Sequence, residues 1–271
     1  MRVPVTVLAA GLQAATTLAS PLTSVVDAAK AEIQGLVQGG SSAVSAVSQE
    51  ASSISANKYI TSENWAGASR AGTNITFSTA TVTVPNFETD PDGWTTGLAI
   101  FAGLDGYFGS PDKLTLSGII IAAVRGERQY QFTALWRVFP DGGGSENEIS
   151  FPIRAGHKIR LSLNRLSETR INGTVENLNT GQTVYRILDA PEPFPATDAS
   201  WVVNRYTSMG DWMRWLDFTD PINFTDIKAA NGDGTTLNLE GADLLDIVPS
   251  GQNAFTKCSI DGPSDLTCLH P

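Results

Sequence analysis

The run Leu114-Thr115-Leu116-Ser117-Gly118-Ile119-Ile120-Ile121-Ala122-Ala123-Val124 contains no proline and is dense in β-branched side chains. Such a run packs well on a pleated surface, so it is expected to be a strand. Working outward, the same texture recurs at Ile75–Val84, where Pro85-Asn86 ends it, and at Leu98–Leu104, Tyr130–Phe139, Lys158–Leu163, Ile171–Leu178 and Ser200–Val203. Turn-forming residues lie between these runs: Asp105-Gly106, Asp141-Gly142-Gly143-Gly144, Asn172-Gly173 and Asn231-Gly232-Asp233-Gly234. No long amphipathic helix pattern interrupts them. Many short strands at regular intervals predict an all-β fold over residues 59–271, a two-sheet antiparallel β-sandwich of jelly-roll, concanavalin A-like form.

The two ends of the chain differ from this body. Arg2 followed by the apolar or small run Val3–Leu18, with Thr17-Leu18-Ala19 before Ser20, has the form of a signal peptide over residues 1–19. Residues 20–58 are rich in Ser, Ala, Val and Gln and have the character of a propeptide or flexible leader. Export agrees with three N-x-[ST] sequons, at Asn74, Asn172 and Asn223. The chain has 2 cysteines, Cys258 and Cys268. In an oxidising compartment a single local disulfide closing the Asp261-Gly262-Pro263 loop is the natural expectation. The sequence therefore predicts a secreted, extracellular protein.

Charge and residue types exclude several classes of function. With 18 Lys and Arg against 28 Asp and Glu, the net charge is −10. Nucleic acid and anionic lipid both need a basic face, so neither is an expected partner. The 2 histidines, His157 and His270, give poor material for zinc or a Cys/His nucleophile pair. His157 has the setting of a turn residue before a strand. Asn231–Gly234 lacks the alternating carboxylates of a calcium loop. No Gly-x-Ser-x-Gly elbow and no phosphate loop is present. No metal and no cofactor is expected.

Asn64-Trp65-Ala66-Gly67-Ala68, Gly103-Leu104-Asp105-Gly106, Glu176-Asn177-Leu178-Asn179-Thr180-Gly181 and Ala199-Ser200-Trp201-Val202-Val203 follow one another in an order and spacing that resemble, from about Asn64 to the C-terminus, those of the fungal glutamic peptidases (eqolisins, peptidase family G1, formerly A4). Asn64-Trp65-Ala66-Gly67-Ala68 resembles that family's opening, and Phe77 to Pro85 is similar to its Phe-x-x-Val-x-x-x-Trp-x-Val-Pro strand. Gly103-Leu104-Asp105-Gly106 resembles its Gly-Ile-Asp-Gly turn. Glu176-Asn177-Leu178-Asn179-Thr180-Gly181 resembles its Glu-Asn-x-Thr-x-Gly hairpin, and Ala199-Ser200-Trp201-Val202-Val203 its Ala-Glu-Trp-Ile-Val strand. Asp217-Phe218, Ile222, Phe224-Thr225 and Ala229 resemble the strand that follows.

The resemblance implies a β-sandwich and acid proteolysis by a glutamine and a glutamate, one holding the oxyanion and the other moving a proton. Here the family's glutamine position falls on Leu116 and its glutamate position on Asn204. Leucine donates no hydrogen bond and asparagine does not titrate. Further family positions fall on Phe101, Ile120, Leu135, Arg137 and Val138, while Asp105 is retained. In a different register Gln129 or Gln131 would supply the amide, and Glu127, Glu146 or Glu148 the acid.

Strand alternation puts Leu114, Leu116, Gly118 and Ile120 on one face, with Gln131, Thr133, Leu135 and Arg137, and Ser200, Val202 and Asn204, on the matching faces of other strands. If the family frame holds, a groove is lined by Phe101, Asp105, Leu116, Ile120, Gln131, Leu135, Arg137, Val202 and Asn204. Three functional readings follow. One is a non-proteolytic binder of a small apolar molecule, a peptide or a glycan. The second is an enzyme of different chemistry, cyclising or isomerising a hydrophobic small molecule. The third is a divergent acid endopeptidase. Against all three stands a groove closed by its own side chains.

Overall fold

The computed structural model describes residues 58–87, 96–107, 113–123, 130–139, 149–205, 207–208, 211–212, 214–215 and 217–271. The signal and leader expected before Lys58, the Asp141–Gly144 loop, and Glu127, Gln129, Glu146 and Glu148 lie outside the described residues.

The strands are β1 (Tyr59–Ser62), β2 (Trp65–Ala71), β3 (Ile75–Thr83), β4 (Thr96–Asp105), β5 (Leu114–Ala123), β6 (Tyr130–Phe139), β7 (Ile149–Ser150), β8 (Lys158–Arg165), β9 (Arg170–Asn177) and β10 (Gln182–Asp189). They continue as β11 (Asp198–Arg205), β12 (Thr207–Ser208), β13 (Asp211–Trp212), β14 (Arg214–Trp215), β15 (Ile222–Asn231), β16 (Thr236–Leu237), β17 (Asp243–Ile247), β18 (Lys257–Gly262) and β19 (Asp265–Leu269). Among the described residues there is no helix. The front sheet runs β1-β17-β2-β11-β4-β5-β6-β7, with β14 attached to β4. The back sheet runs β10-β9-β8-β3-β15-β19-β18, with β16 attached to β15. Pairing is antiparallel except where β1 joins β17 and β14 joins β4. The expected all-β sandwich is the fold observed.

The sheets face each other across one apolar core. The front sheet contributes Leu98, Ile100, Ile119, Trp136, Trp201 and Val203, the back sheet Val82, Leu161, Leu163, Val175 and Phe224. Burying each such side chain contributes about 1.5–3 kcal/mol. The Trp201 indole nitrogen also donates to the Thr79 carbonyl, 2.9 Å away on the other sheet. The two sheets differ on their outer sides. In the back sheet β8 and β9 alternate between buried and accessible residues, as one solvated face requires. In the front sheet every residue of β4 and β11 is buried. That sheet is therefore covered on both sides.

One expected turn is corrected. Asn172-Gly173 lies inside β9, with Gly173 opposite Leu163 on one side and Arg186 on the other. A Cβ at Gly173 would overlap the Trp136 ring of the front sheet. The glycine answers to close packing across the core rather than to a change of direction. β1, β10 and β17 extend beyond the expected runs; they are short or carry charged residues such as Arg186 and Asp189.

Cys258 and Cys268 are bonded, directly opposite each other on the β18–β19 hairpin. Beside them, buried Asp246 of β17 accepts hydrogen bonds from the Tyr59 hydroxyl (2.7 Å), the Thr256 hydroxyl (2.9 Å) and the Cys258 amide (2.7 Å). One carboxylate thus ties β1 and β18 to β17. Burial, together with the hydrogen bond to this carboxylate and its charge, pushes the Tyr59 phenol up to about 12. Replacing both cysteines by serine should cost about 2–3 kcal/mol for a loop of this length. Urea unfolding of the oxidised parent and the double variant measures this, and a difference below experimental error would show that the hairpin is held by Asp246 and packing alone.

Candidate functional site

Period-two alternation sorts the front-sheet strands into two sets of side chains. Leu98, Ile100, Ala102 and Leu104 of β4 face the inter-sheet core, while Ala99 and Phe101 face away from it. On that outer face Ala99, Phe101, Leu116, Ile120, Leu135, Phe139 and Val202 form a second apolar cluster, with Trp65 and Leu114 packed against it. Five of the residues expected to line a groove (Phe101, Leu116, Ile120, Leu135 and Val202) meet in this one cluster. Ala99, Phe139 and Trp65 were not among the expected lining residues, although alternation along β2, β4 and β6 carries them.

Strand register arranges the face in rows. The central row is Leu135, Gly118, Phe101, Val202 and Gly67. A Cβ on Gly118 would overlap the Phe101 ring and the Ile100 carbonyl, so this glycine makes room for the ring that fills the centre. On one side lies the row Arg137, Leu116, Gly103, Ser200, Ser69 and Asp243. On the other lies Thr133, Ile120, Ala99, Asn204 and Trp65. Leu116 and Asn204 therefore share a face but sit two strands and four residues apart, about 16 Å between Cα atoms at ~3.3 Å per residue and ~4.8 Å per strand. Phe101 stands between them.

The polar members of the face are buried as deeply as the apolar ones. Leu116 is 2 % exposed, Asn204 3 % and Arg137 1 %. The Asn204 amide nitrogen donates to the Asn64 carbonyl at 3.2 Å. The Arg137 guanidinium lies over the Phe139 ring, 4.5 Å from its centroid. This geometry offsets part of the cost of burying a cation. Gln131 lies on the same face, two residues before Thr133 along β6, and is half-buried.

Asp105, expected among the lining residues, is tied to the backbone of a neighbouring segment. It ends β4 with φ of 63°, and Gly106 follows at 98°, so the chain turns there. Its carboxylate accepts hydrogen bonds from the Ala196 amide (3.0 Å), the Thr197 amide (2.7 Å) and the Thr197 hydroxyl (3.3 Å). It fastens the segment leading into β11. Buried Asp198 and Asp243 and the hydroxyls of Ser69 and Ser200 belong to the same end of the face. The Tyr107 hydroxyl donates to Asp243 at 3.5 Å, and the Lys58 amide donates to the same carboxylate at 3.3 Å. Burial and the Asp243 charge hold the Tyr107 phenol above its usual range. The face is thus divided: apolar at its centre, acidic at one end. Among the described residues no group of three His, Cys, Asp or Glu side chains is placed to hold a metal.

The histidines lie elsewhere. His157 follows the Ala155-Gly156 turn, and its Nδ1 pairs with the Asn177 amide nitrogen at 2.9 Å. His270 bridges the Phe255 carbonyl (2.9 Å) and Asp217 (3.3 Å). Both join segments of chain.

Burial raises the carboxyl groups of Asp105 and Asp246 above the usual carboxylate range, against the opposing effect of their hydrogen bonds. Between an ordinary value near ~4 and these raised values the folded chain binds more protons than the unfolded chain. The stability this provides is complete in acid and is lost as pH rises through the folded values. The unfolding free energy should therefore fall as pH rises from about 4 through those raised values, and an Asp105→Asn variant should show a shallower fall. Equal slopes for parent and variant would remove Asp105 as a source.

Three kinds of comparison bear on this architecture. The model of the Peptidase A4 family matches residues 63–270. Aspergillopepsin-2 of Aspergillus niger is 26% identical over 222 residues, covering 75% of this chain and 76% of that protein. Scytalidopepsin B of Scytalidium lignicola is 22% identical over 225 residues, covering 80% and 81%. Among solved structures, scytalido-glutamic peptidase bound to a peptide-based transition state analog superposes with a TM-score of 0.66 at 22% identity, over 77% of this chain and 98% of that one. Aspergilloglutamic peptidase from Aspergillus niger gives 0.57 at 23% identity, over 65% and 99%. The sandwich fold is common to all of them, and the family match spans both of its sheets. The chain belongs to the peptidase A4 family, the glutamic peptidases.

Proposed function

We propose that this chain is a secreted glutamic-peptidase relative that does not hydrolyse peptides with the family's dyad and instead holds an apolar ligand on the outer face of its front sheet, whose buried side chains have to be uncovered for the ligand to bind. One observation carries the reading. The motif resemblance puts the family's dyad positions at Leu116 and Asn204, and these two residues lie on a face whose centre is Phe101, Ile120, Leu135 and Val202. Neither side chain transfers a proton at any pH at which the protein is folded. The nearest buried carboxylates by register are at the acidic end, and Asp105 there is committed to the backbone of Ala196 and Thr197. An apolar face with a few polar groups is what recognition of a hydrophobic molecule or of apolar peptide side chains requires.

Arg137 supports a second reading. A guanidinium in an apolar setting orients a carbonyl or carboxylate strongly, because the low local dielectric leaves its field unscreened. An enzyme that cyclises or isomerises a hydrophobic small molecule would use it as an electrophilic handle.

The two readings share a test against proteolysis. The secreted protein, incubated with denatured protein substrates between pH 2 and pH 6, should release no new peptides. An environment-sensitive apolar dye should bind saturably, and Ile120→Thr should weaken that binding severalfold in protein whose thermal melt shows it folded at the assay temperature. Acid-dependent cleavage that disappears in Asn204→Ala would overturn the proposal.

A further inference from the structure

The outward face of the back sheet carries an unusual juxtaposition. The sequon Asn172-Gly173-Thr174 lies within β9, and both Asn172 and Thr174 are on the solvent side. Directly across the pairing, on the edge strand β10, Ile187 faces Asn172 and Tyr185 faces Thr174. Tyr185 is 63% exposed and Ile187 40%. They are large apolar side chains on an edge strand, where proteins usually place charge or proline to prevent unwanted pairing.

The three sequon asparagines differ in their surroundings. The Asn74 carboxamide oxygen accepts from Arg165, and that of Asn223 accepts from the Thr267 hydroxyl at 2.9 Å. The Asn172 oxygen is covered and accepts no hydrogen bond, which leaves its nitrogen as the carboxamide atom toward solvent. The middle residue of this sequon is a glycine because Trp136 occupies the space of its side chain. It is not proline, the one residue that would abolish the motif.

We infer that Asn172 is an N-glycosylation site and that Tyr185 and Ile187 are the platform on which the first sugar rests. The asparagine nitrogen displaces diphosphate from C1 of the reducing-end N-acetylglucosamine of a polyprenyl-diphosphate oligosaccharide. The N–C1 bond forms, the C1–O bond breaks with its electron pair leaving on the diphosphate, and the amide proton passes to a base of the transferase. The attached sugar then lies beside the Tyr185 ring, whose face takes the axial C–H groups of a pyranose as it takes other apolar partners. Ile187 is covered at the same time. The glycan would thus shield an apolar edge strand on the side of the molecule away from the apolar face of the front sheet.

The test is made on the full chain, secreted from a eukaryotic host behind a heterologous signal so that export is not in question. Endoglycosidase H trims each glycan to one N-acetylglucosamine, and glycopeptide mass spectrometry then locates it. The Asn172 peptide should carry the sugar, and Thr174→Ala should remove it. The trimmed protein should melt about 2 °C or more above Asn172→Gln, a shift measurable for a domain of this size. In a Tyr185→Ser background, itself a change at an exposed position, that difference should vanish. An unmodified Asn172 in the secreted protein overturns the site. A melting difference that persists unchanged without Tyr185 overturns the platform.

Discussion

The front sheet has to satisfy two apolar faces at once, and the rest of the molecule is arranged around that requirement. β4 and β11 are buried along their whole lengths, so each residue in them meets either the back sheet or the second cluster. Such a strand has no solvent side on which to place charge, which explains the near-continuous apolar runs of Leu98–Leu104 and Ile119–Ala122. A register slip of one residue would exchange the two sets and bring Leu98 and Ile100 to the outer face and Phe101 into the core. Glycines on the outer face make the arrangement possible by letting bulky neighbours lie flat, as Gly118 does for Phe101.

This constraint also bounds the chemistry of the outer face. A titrating side chain at its centre would be surrounded by Phe101, Ile120, Leu135 and Val202, where ionisation is heavily penalised. The acidic groups are gathered instead at one end, beside the Asp105 turn, where the backbone amides of Ala196 and Thr197 bond to Asp105, and the Lys58 amide and Tyr107 hydroxyl to Asp243. Arg137 is the cation retained in the apolar part, and it is cushioned by the Phe139 ring. Family membership therefore describes the frame, while the proposed function rests on what fills the face.

The back sheet follows a simpler rule. Its outer side is polar and alternates cleanly, with β8 and β9 presenting Arg160, Ser162, Thr174 and Glu176 to solvent. Departures from that rule include Leu269 of β19, and Tyr185 and Ile187 on the edge strand β10, next to a sequon. The sandwich thus keeps its two outer faces distinct, one apolar and buried, the other solvated.

Alternation within each strand, combined with the family frame, was enough to place Leu116, Ile120, Leu135, Arg137, Val202 and Asn204 on a common face, because side-chain direction along one strand depends only on parity. The sandwich class and the Cys258–Cys268 bond were likewise legible, from strand texture and from there being 2 cysteines. Three things were not. Parity puts Asp105 on the outer face, but its φ of 63° and the Ala196 amide that reaches it from 91 residues away could not be read from it. Asn172-Gly173 looked like a turn, but the glycine is there for Trp136 on the opposite sheet. The offset between Leu116 and Asn204 depends on how β4 pairs with both of its neighbours. Local pattern carries direction and polarity, whereas register, close approach and hydrogen-bond partners arise only when distant strands are brought side by side.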